Sequence, residues 1–98
     1  MVNALSENTI NTYIYLANCF IANEERPTNF SIIAIKEFCG LSIKSSGNNY
    51  IIIDILEILS LLNLISYRSY NQIEDNQIKT YYQLTSVSNS VKKNDILC

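Results

Sequence analysis

The sequence predicts a small, mainly α-helical α+β domain in which three helices precede a two-stranded β-hairpin. Apolar residues recur at helical spacing between positions 6 and 62, and the period then changes to the alternation typical of strands. Only two Gly and one Pro interrupt the 98 residues, which favours regular elements. A chain of this length forms one domain with one modest core. We expect the core over about 6–86, followed by a tail, 87–98, that is loose or forms a short helix.

The first helix is expected from about Ser6 to Asn23. Ser6 is a typical N-cap, and Glu7 places a carboxylate in the first turn, where the helix dipole favours it. The helix should end before the polar run that Pro27 closes. Its apolar stripe is expected to consist of Ile10, Ile14, Ala17 and Ile21, with Tyr13 and Phe20 beside it. Leu16 and Cys19 widen this stripe.

A second helix is expected from Ile32 to about Cys39, capped by Ser31 and preceded by a short extended segment, 28–30. Gly40 follows at the place where helices commonly end in a left-handed residue, and Leu41 should pack back on the core. The predicted inner face contains Ile32, Ile35, Phe38 and Cys39, and Lys36 and Glu37 are expected outside.

The third helix is expected from Tyr50 to Leu62, after a polar stretch, 43–49, with the composition of a turn. Asn48 or Asn49 is a suitable N-cap. In the alternative, the helix starts earlier and is broken at Gly47. The predicted core face contains Ile52, Ile55, Leu59 and Leu62, flanked by Leu56 and Ile58.

The hairpin is expected from two segments rich in strand-forming residues, 64–70 and 78–84, joined by a polar turn over 71–77. Tyrosines crowd these segments. We expect most of them to pack within the hairpin, and others could stack on a nucleic acid or a partner protein. The residues concerned are Tyr67, Tyr70, Tyr81 and Tyr82.

The composition argues against several functions. The three cysteines, Cys19, Cys39 and Cys98, are widely separated and the chain has no His, so neither a zinc site nor a disulfide framework is expected. Cys19 and Cys39 should be small core residues. Without His for acid–base chemistry at neutral pH, and without a Gly-rich phosphate loop, we expect neither an enzyme nor a bound cofactor or metal.

The N-terminal residues and the longest apolar stretch indicate in which cellular compartment the protein is expected. The N-terminal residues lack a basic region followed by an apolar run, so no signal peptide is expected. The apolar stretch from Tyr50 to Ile65 contains Asp54 and Glu57 and is too short to span a bilayer. We therefore expect a cytoplasmic protein without membrane contact.

Three sequence segments carry a resemblance to a known superfamily. They are Phe30–Ser42 (FSIIAIKEFCGLS), Asp54–Ile65 (DILEILSLLNLI) and Tyr81–Thr85 (YYQLT). They resemble the winged helix-turn-helix superfamily, whose members show a helix ending in GLS, an LxxLxxxGLI helix and a wing strand ending in YxLT. Asn63 replaces the usual Gly, which is tolerable because Asn also adopts left-handed conformations. The segment before the third helix is about six residues longer than the usual short turn.

The resemblance implies binding of double-stranded DNA, with the third helix in the major groove and the wing on the backbone or in the minor groove. The net charge of −2 and the pI of about 4.9 oppose this, so the placement of the bases matters more than their sum. Because Asp54 and Glu57 would repel phosphates, we expect insertion of the helix tip alone. The predicted contacts are Lys36, Lys44, Ser45, Ser46, Asn48, Asn49, Tyr50, Arg68 and Lys79, with Lys92 and Lys93 in the tail.

Surplus apolar residues on the first helix, together with Ile53, Leu61 and Leu64, predict a homodimer. The chain is similar in size and build to TubR-type centromere-binding adaptors of bacterial plasmids and phages, which implies a filament-forming GTPase partner; a small transcription regulator remains open. The alternative function is a winged-helix protein-docking module of the DnaD-like type, favoured by the acidic balance and the tyrosine-rich wing.

Overall fold

The computed structural model describes residues 6–88 and contains three helices and one three-stranded antiparallel sheet. The α+β class and the order of the elements agree with the sequence prediction, and a third strand joins the hairpin. The tail from residue 89 onwards, with Lys92 and Lys93, lies outside the described residues. The elements are α1 (Glu7–Ala22), β1 (Thr28–Phe30), α2 (Ile32–Phe38), α3 (Gly47–Leu61), β2 (Ile65–Glu74) and β3 (Gln77–Val87).

Helix α1 begins and ends where the sequence predicts, but it turns a different face to the core. Ser6 caps it, since its hydroxyl accepts a hydrogen bond from the Thr9 amide at 3.1 Å. The expected stripe was wrong at its three isoleucines, which are 40–47% exposed, whereas its alanine is buried, as are the two rings and the leucine expected beside it. The face that carries the bulkier rings is the one that packs on the core. The exposed residues are Ile10, Ile14 and Ile21, and the buried ones include Tyr13, Leu16, Ala17 and Phe20.

Helix α2 is defined by local signals at both ends. The Ser31 hydroxyl accepts from the Ala34 amide at 3.1 Å, as expected of an N-cap. At the other end Gly40 has a φ of 76°, which places it in the left-handed region. The Leu41 amide then donates to the Lys36 carbonyl at 2.8 Å, and the Leu41 side chain packs against the core. This tight ending reverses the chain and starts the turn towards α3.

Helix α3 begins at Gly47, earlier than the expected start at Tyr50 and with no break at the glycine. Neither Asn48 nor Asn49 is the N-cap. Ser46 holds that position without a side-chain cap, and the amides of the two asparagines donate to the carbonyls of Ser45 and Ser46. A tight turn thus satisfies the first amides of the helix. Most of the predicted core face is buried, but Leu62 follows the helix end and is 51% exposed.

The hairpin is longer than the sequence prediction. Strand β2 continues to Glu74, and only Asp75 and Asn76 form the turn, both with positive φ. Two such residues produce the twist that a two-residue hairpin turn requires. The expected turn over 71–77 was therefore too long, because residues 71–74 and Gln77 belong to the strands. Strand β1 pairs with β3, so that Thr28 opposes Leu84.

The core lies between the helices and one face of the sheet. Phe30 closes it on the sheet side, because its ring packs against those of Tyr67 and Tyr82. The thiols of Cys19 and Cys39 are free and half-buried, and Cys39 packs against the core. Within residues 6–88, no helix is long and apolar enough to cross a bilayer. The buried core residues are Tyr13, Leu16, Ala17, Phe20, Ile35, Ile52, Ile55, Leu56, Leu59, Ile65 and Leu84.

Asn63 ends α3 in the left-handed region with a φ of 61°, as the sequence predicts. The Leu64 amide donates to the Leu59 carbonyl at 2.9 Å across this residue. We expect Asn63→Ala to lower the free energy of unfolding by about 1–2 kcal/mol, because a β-carbon strains this conformation. Asn63→Gly, the matched control, should retain the stability in urea unfolding. Equal losses in both variants would show that the Asn63 side chain, and not its backbone conformation, is what matters.

Candidate nucleic-acid interface

Lys36 is buried inside the turn that joins α2 to α3. Its side chain is 2% exposed. Its Nζ donates to the carbonyl oxygens of Ile43 at 3.0 Å and Ser45 at 3.4 Å, and to Oδ1 of Asn49 at 2.6 Å. The expectation of Lys36 on the outer face, in contact with DNA, was wrong. A buried amine needs acceptors, and here the turn supplies them.

The sequence contained a signal for this burial. Lys36 follows Ile32 by four positions, so the two side chains share one side of α2. Phe38, which the prediction placed inside, is 48% exposed and lies against the ring of Tyr15. The inner stripe of α2 is therefore Ile32, Ile35, Lys36 and Cys39. Charge alone placed Lys36 outside, and helical spacing would have corrected the placement.

The two predicted asparagines also hold the turn. Asn49 accepts from Lys36, and Nδ2 of Asn48 donates to the Ser42 carbonyl at 2.9 Å. Both side chains are half-buried. In this arrangement their amides bind backbone and lysine atoms of the chain itself. The turn from Ser42 to Ser46 is thus fixed by side chains from both of the helices that it joins.

The other predicted residues of this segment face solvent. Lys44, Ser45 and Ser46 are exposed, and Tyr50 is 70% exposed at the first turn of α3. Lys44 has no carboxylate within 4.0 Å among residues 6–88. The structure therefore gathers four of the predicted contacts into one exposed surface, which we call the turn surface: Lys44, Ser45, Ser46 and Tyr50.

The structure does not bring the hairpin cations to the turn surface. Leu84 faces the core, so the neighbouring position Gln83 faces away from the helices. Arg68 opposes Gln83 and donates to its Oε1 at 2.8 Å, which places Arg68 on the outer face as well. Lys79 lies farther along that face and forms a 3.5 Å ion pair with Glu74.

A row of polar side chains, which the sequence patterns do not reveal, holds Arg68 in place. Nε2 of Gln83 donates to Oδ1 of Asn29 at 3.4 Å, so a polar row crosses all three strands from Asn29 to Arg68. No sequence signal links the three residues before the register of the strands is known. The row orients the guanidinium of Arg68 towards solvent, where it could contact an anion.

Negative charge is concentrated in the middle of α3. Asp54 and Glu57 are exposed on α3. Burial raises the pKa of the Tyr67 phenol, and the charges of Glu57 and of Tyr82 raise it further. The negative charge of Glu57 therefore reaches the first part of the hairpin. The middle of α3 is accordingly acidic.

Replacing Lys36 should destabilise the fold. In Lys36→Met the carbonyls of Ile43 and Ser45 and the amide of Asn49 lose their donor, which should cost about 1–3 kcal/mol of unfolding free energy. Lys44→Met removes an exposed lysine from the same segment and should change it by less than about 0.5 kcal/mol. Urea unfolding of both variants measures the difference. Equal effects would mean that Lys36 does not hold the turn.

The hairpin end should show a linked titration. The phenol of Tyr81 donates to Oε2 of Glu74, which lowers the pKa of Glu74 and raises that of Tyr81. A lowered carboxyl pKa stabilises the folded hairpin above the unfolded pKa, and this contribution is lost as the pH falls through the folded value. Tyr81→Phe should raise the pKa of Glu74 in an NMR titration of its carboxyl carbon. Tyr70→Phe, which removes a stacked phenol without that bond, should shift it less; equal shifts would contradict the assignment.

Comparison with known proteins gives no relative from which a role could be carried over. No family model matches the sequence, and no curated protein or solved structure matches it with statistical significance. Among the described residues, no group of His, Cys, Asp and Glu side chains could hold a metal ion. A role for the chain is therefore inferred from the placement of its own side chains.

Proposed function

We propose that the chain is a winged-helix protein that binds double-stranded DNA as a homodimer, either as a transcription regulator or as a DNA-partition adaptor. The observation that carries this proposal is the turn between α2 and α3. Lys36 holds the backbone of that turn from inside, and the turn presents to solvent Lys44, which has no ion pair within residues 6–88. A rigid helix pair with an exposed polar tip is what a reading element requires.

The turn surface is suited to contact by its tip. Lys44 neutralises a phosphate, and the hydroxyls of Ser45 and Ser46 can donate to phosphate or to a base edge. The N-terminal end of α3 adds a partial positive charge beside them. Asp54 and Glu57 lie farther along the helix and keep its middle away from the phosphates. The acidic helix thus favours entry of its first turn only.

The hairpin is the proposed wing. Arg68 is its best phosphate contact, since Gln83 orients the guanidinium and leaves its terminal nitrogens exposed. Lys79 is already paired with Glu74. Because Arg68 faces away from the helices, the wing would meet the DNA backbone with its outer face. The hairpin contact would therefore add non-specific affinity and little base recognition.

The exposed stripe of α1 is the proposed dimer surface. Ile10, Ile14 and Ile21 share one face, and each is at least 40% exposed. Glu7 lies at the N-terminal end of the same face, so an antiparallel pairing of two α1 helices would pack the isoleucines together and keep the two Glu7 carboxylates apart. Two chains related in this way would present two turn surfaces to a palindromic or repeated site.

The second candidate is a protein-docking module. Lys44 and Arg68 are the only cations of the described residues that are exposed without a carboxylate within 4.0 Å. Two phosphate contacts per chain give modest DNA affinity. The acidic face of α3, with Tyr50 and Leu61 exposed beside it, would suit a basic partner protein. In a partition adaptor, that partner would be a filament-forming GTPase.

Lys44→Glu should weaken DNA binding without unfolding the protein. We expect a lower affinity in a fluorescence anisotropy titration with the DNA that flanks the gene, and an unchanged Tm, because Lys44 is exposed and unpaired. The slope of log K against log salt should fall by about 0.9 for each phosphate contact that is lost. Arg26→Glu reverses an exposed cation at the far end of α1 and is the matched control.

Two results would contradict the DNA proposal. One is an equal loss of affinity in Arg26→Glu and Lys44→Glu, which would reflect net charge and not the turn surface. The other is no binding by the unsubstituted protein at low salt, and that result would favour the docking module.

A further inference from the structure

The end of the hairpin carries two exposed isoleucines side by side. Ile73 and Ile78 are direct cross-strand partners and are 78% and 73% exposed. They lie on the same face of the sheet as Tyr82 and Leu84, but beyond the part of that face that the helices cover. Such a pair on a projecting hairpin costs solvation free energy and contributes nothing to the core.

The hairpin end is also acidic, and a hydrogen bond and an ion pair hold Glu74 in place. Glu74 accepts from Tyr81 and pairs with Lys79, whereas Asp75 has no cation within 4.0 Å in the described part of the chain. The two-residue turn fixes Asp75 next to the isoleucine pair. We call Ile73, Glu74, Asp75 and Ile78 the hairpin tip. Its carboxylates would be repelled by phosphate, so DNA does not suit it.

The turn after α2 forms a second surface of the same chain. Like the hairpin tip, it combines an exposed apolar side chain with a charge, but the charge is of opposite sign. In the turn after α2, Ile43 is 45% exposed and stands next to Lys44, which no carboxylate of the described part of the chain approaches within 4.0 Å. Lys36 binds the Ile43 carbonyl from inside, so the backbone at this point is already fixed. The hairpin tip and the turn after α2 thus each combine exposed isoleucine with one charge that is unpaired within residues 6–88. The two charges, of Asp75 and Lys44, are opposite. Among residues 6–88, no hydrogen bond or ion pair joins them within one chain.

We infer that the hairpin tip of one chain docks on the turn of a second copy. Ile73 and Ile78 would pack against Ile43, and Asp75 would pair with Lys44. Both partners are held in place before contact, which reduces the entropy lost on binding. If each tip meets the other chain's turn, two identical contacts close a dimer. This contact is distinct from the α1 stripe.

The contact has a consequence for DNA. Lys44 serves both the docked tip and the proposed phosphate contact, so self-association through the tip and DNA binding exclude each other. That consequence rests on the proposed function. The tip contact itself does not, and its test uses no DNA.

A concentration series of ¹⁵N-labelled full-length protein at low ionic strength tests the contact directly. Amide signals of Ile43–Ser45 and of Ile73–Ile78 should shift together as the protein is concentrated, and salt should reduce the shifts. Ile73→Thr with Ile78→Thr keeps β-branched residues in the strands and should abolish the shifts at the turn. Ile58→Thr, which removes an exposed isoleucine of α3, should leave them unchanged.

An experiment that reverses the charges of the two surfaces gives the decisive test of the contact. Lys44→Glu makes the turn negative, and Asp75→Lys makes the tip positive, so neither variant should associate through this contact alone. Mixing the two should restore the shifts, because each tip then faces a turn of opposite charge. Asp75→Asn suits the same left-handed conformation and tests loss of the charge should Asp75→Lys disturb the hairpin.

Three results would overturn the inference. They are no concentration-dependent shifts at tip and turn in the unsubstituted protein, persistence of the tip shifts in Lys44→Glu alone, and no recovery on mixing two folded variants. A dimer that forms through α1 alone would shift signals of that helix and leave tip and turn unmoved.

Discussion

The contact of Lys36 with the turn after α2 is the interaction on which the candidate interface depends. One buried amine binds the carbonyls of Ile43 and Ser45 and the side chain of Asn49. Two acceptors are backbone carbonyls of the turn and the third is a side chain of α3, so one amine ties the turn to the helix that follows it. A turn of this length would otherwise have many conformations of similar free energy. Its order explains how Lys44 and its neighbours are presented in one arrangement.

The same contact links packing to the proposed function. Ser31 and Gly40 set the limits of α2, and those limits place Lys36 on the side that faces α3. The aliphatic part of Lys36 is buried with the core, and its amine reaches the polar turn. The position of Lys36 therefore both stabilises the fold and fixes the way in which the turn surface is exposed. The one charge of that surface, Lys44, is exposed and has no carboxylate within 4.0 Å in residues 6–88, which suits the proposed contacts with DNA or a second chain.

Local signals predicted the boundaries of α1 and α2 and the end of α3, because a cap acts within one turn of the chain. They missed the start of α3, where no side chain caps the helix. Ser6, Ser31, Gly40 and Asn63 all hold the positions that their chemistry favours. Tertiary choices were predicted less well. Helix α1 has two apolar stripes of equal period, and only packing against the other elements decides between them. The outward face of Arg68 likewise depends on the register of the strands, which local sequence patterns do not specify.

The most direct test of the account is the hydrogen exchange of the Lys36 amine, observed by NMR of ¹⁵N-lysine-labelled protein. A buried amine with three acceptors should exchange its protons with water more slowly than the exposed amine of Lys44. The account predicts a resolved, slowly exchanging Lys36 signal that couples across hydrogen bonds to the turn. A Lys36 signal that exchanges as fast as that of Lys44 would contradict it.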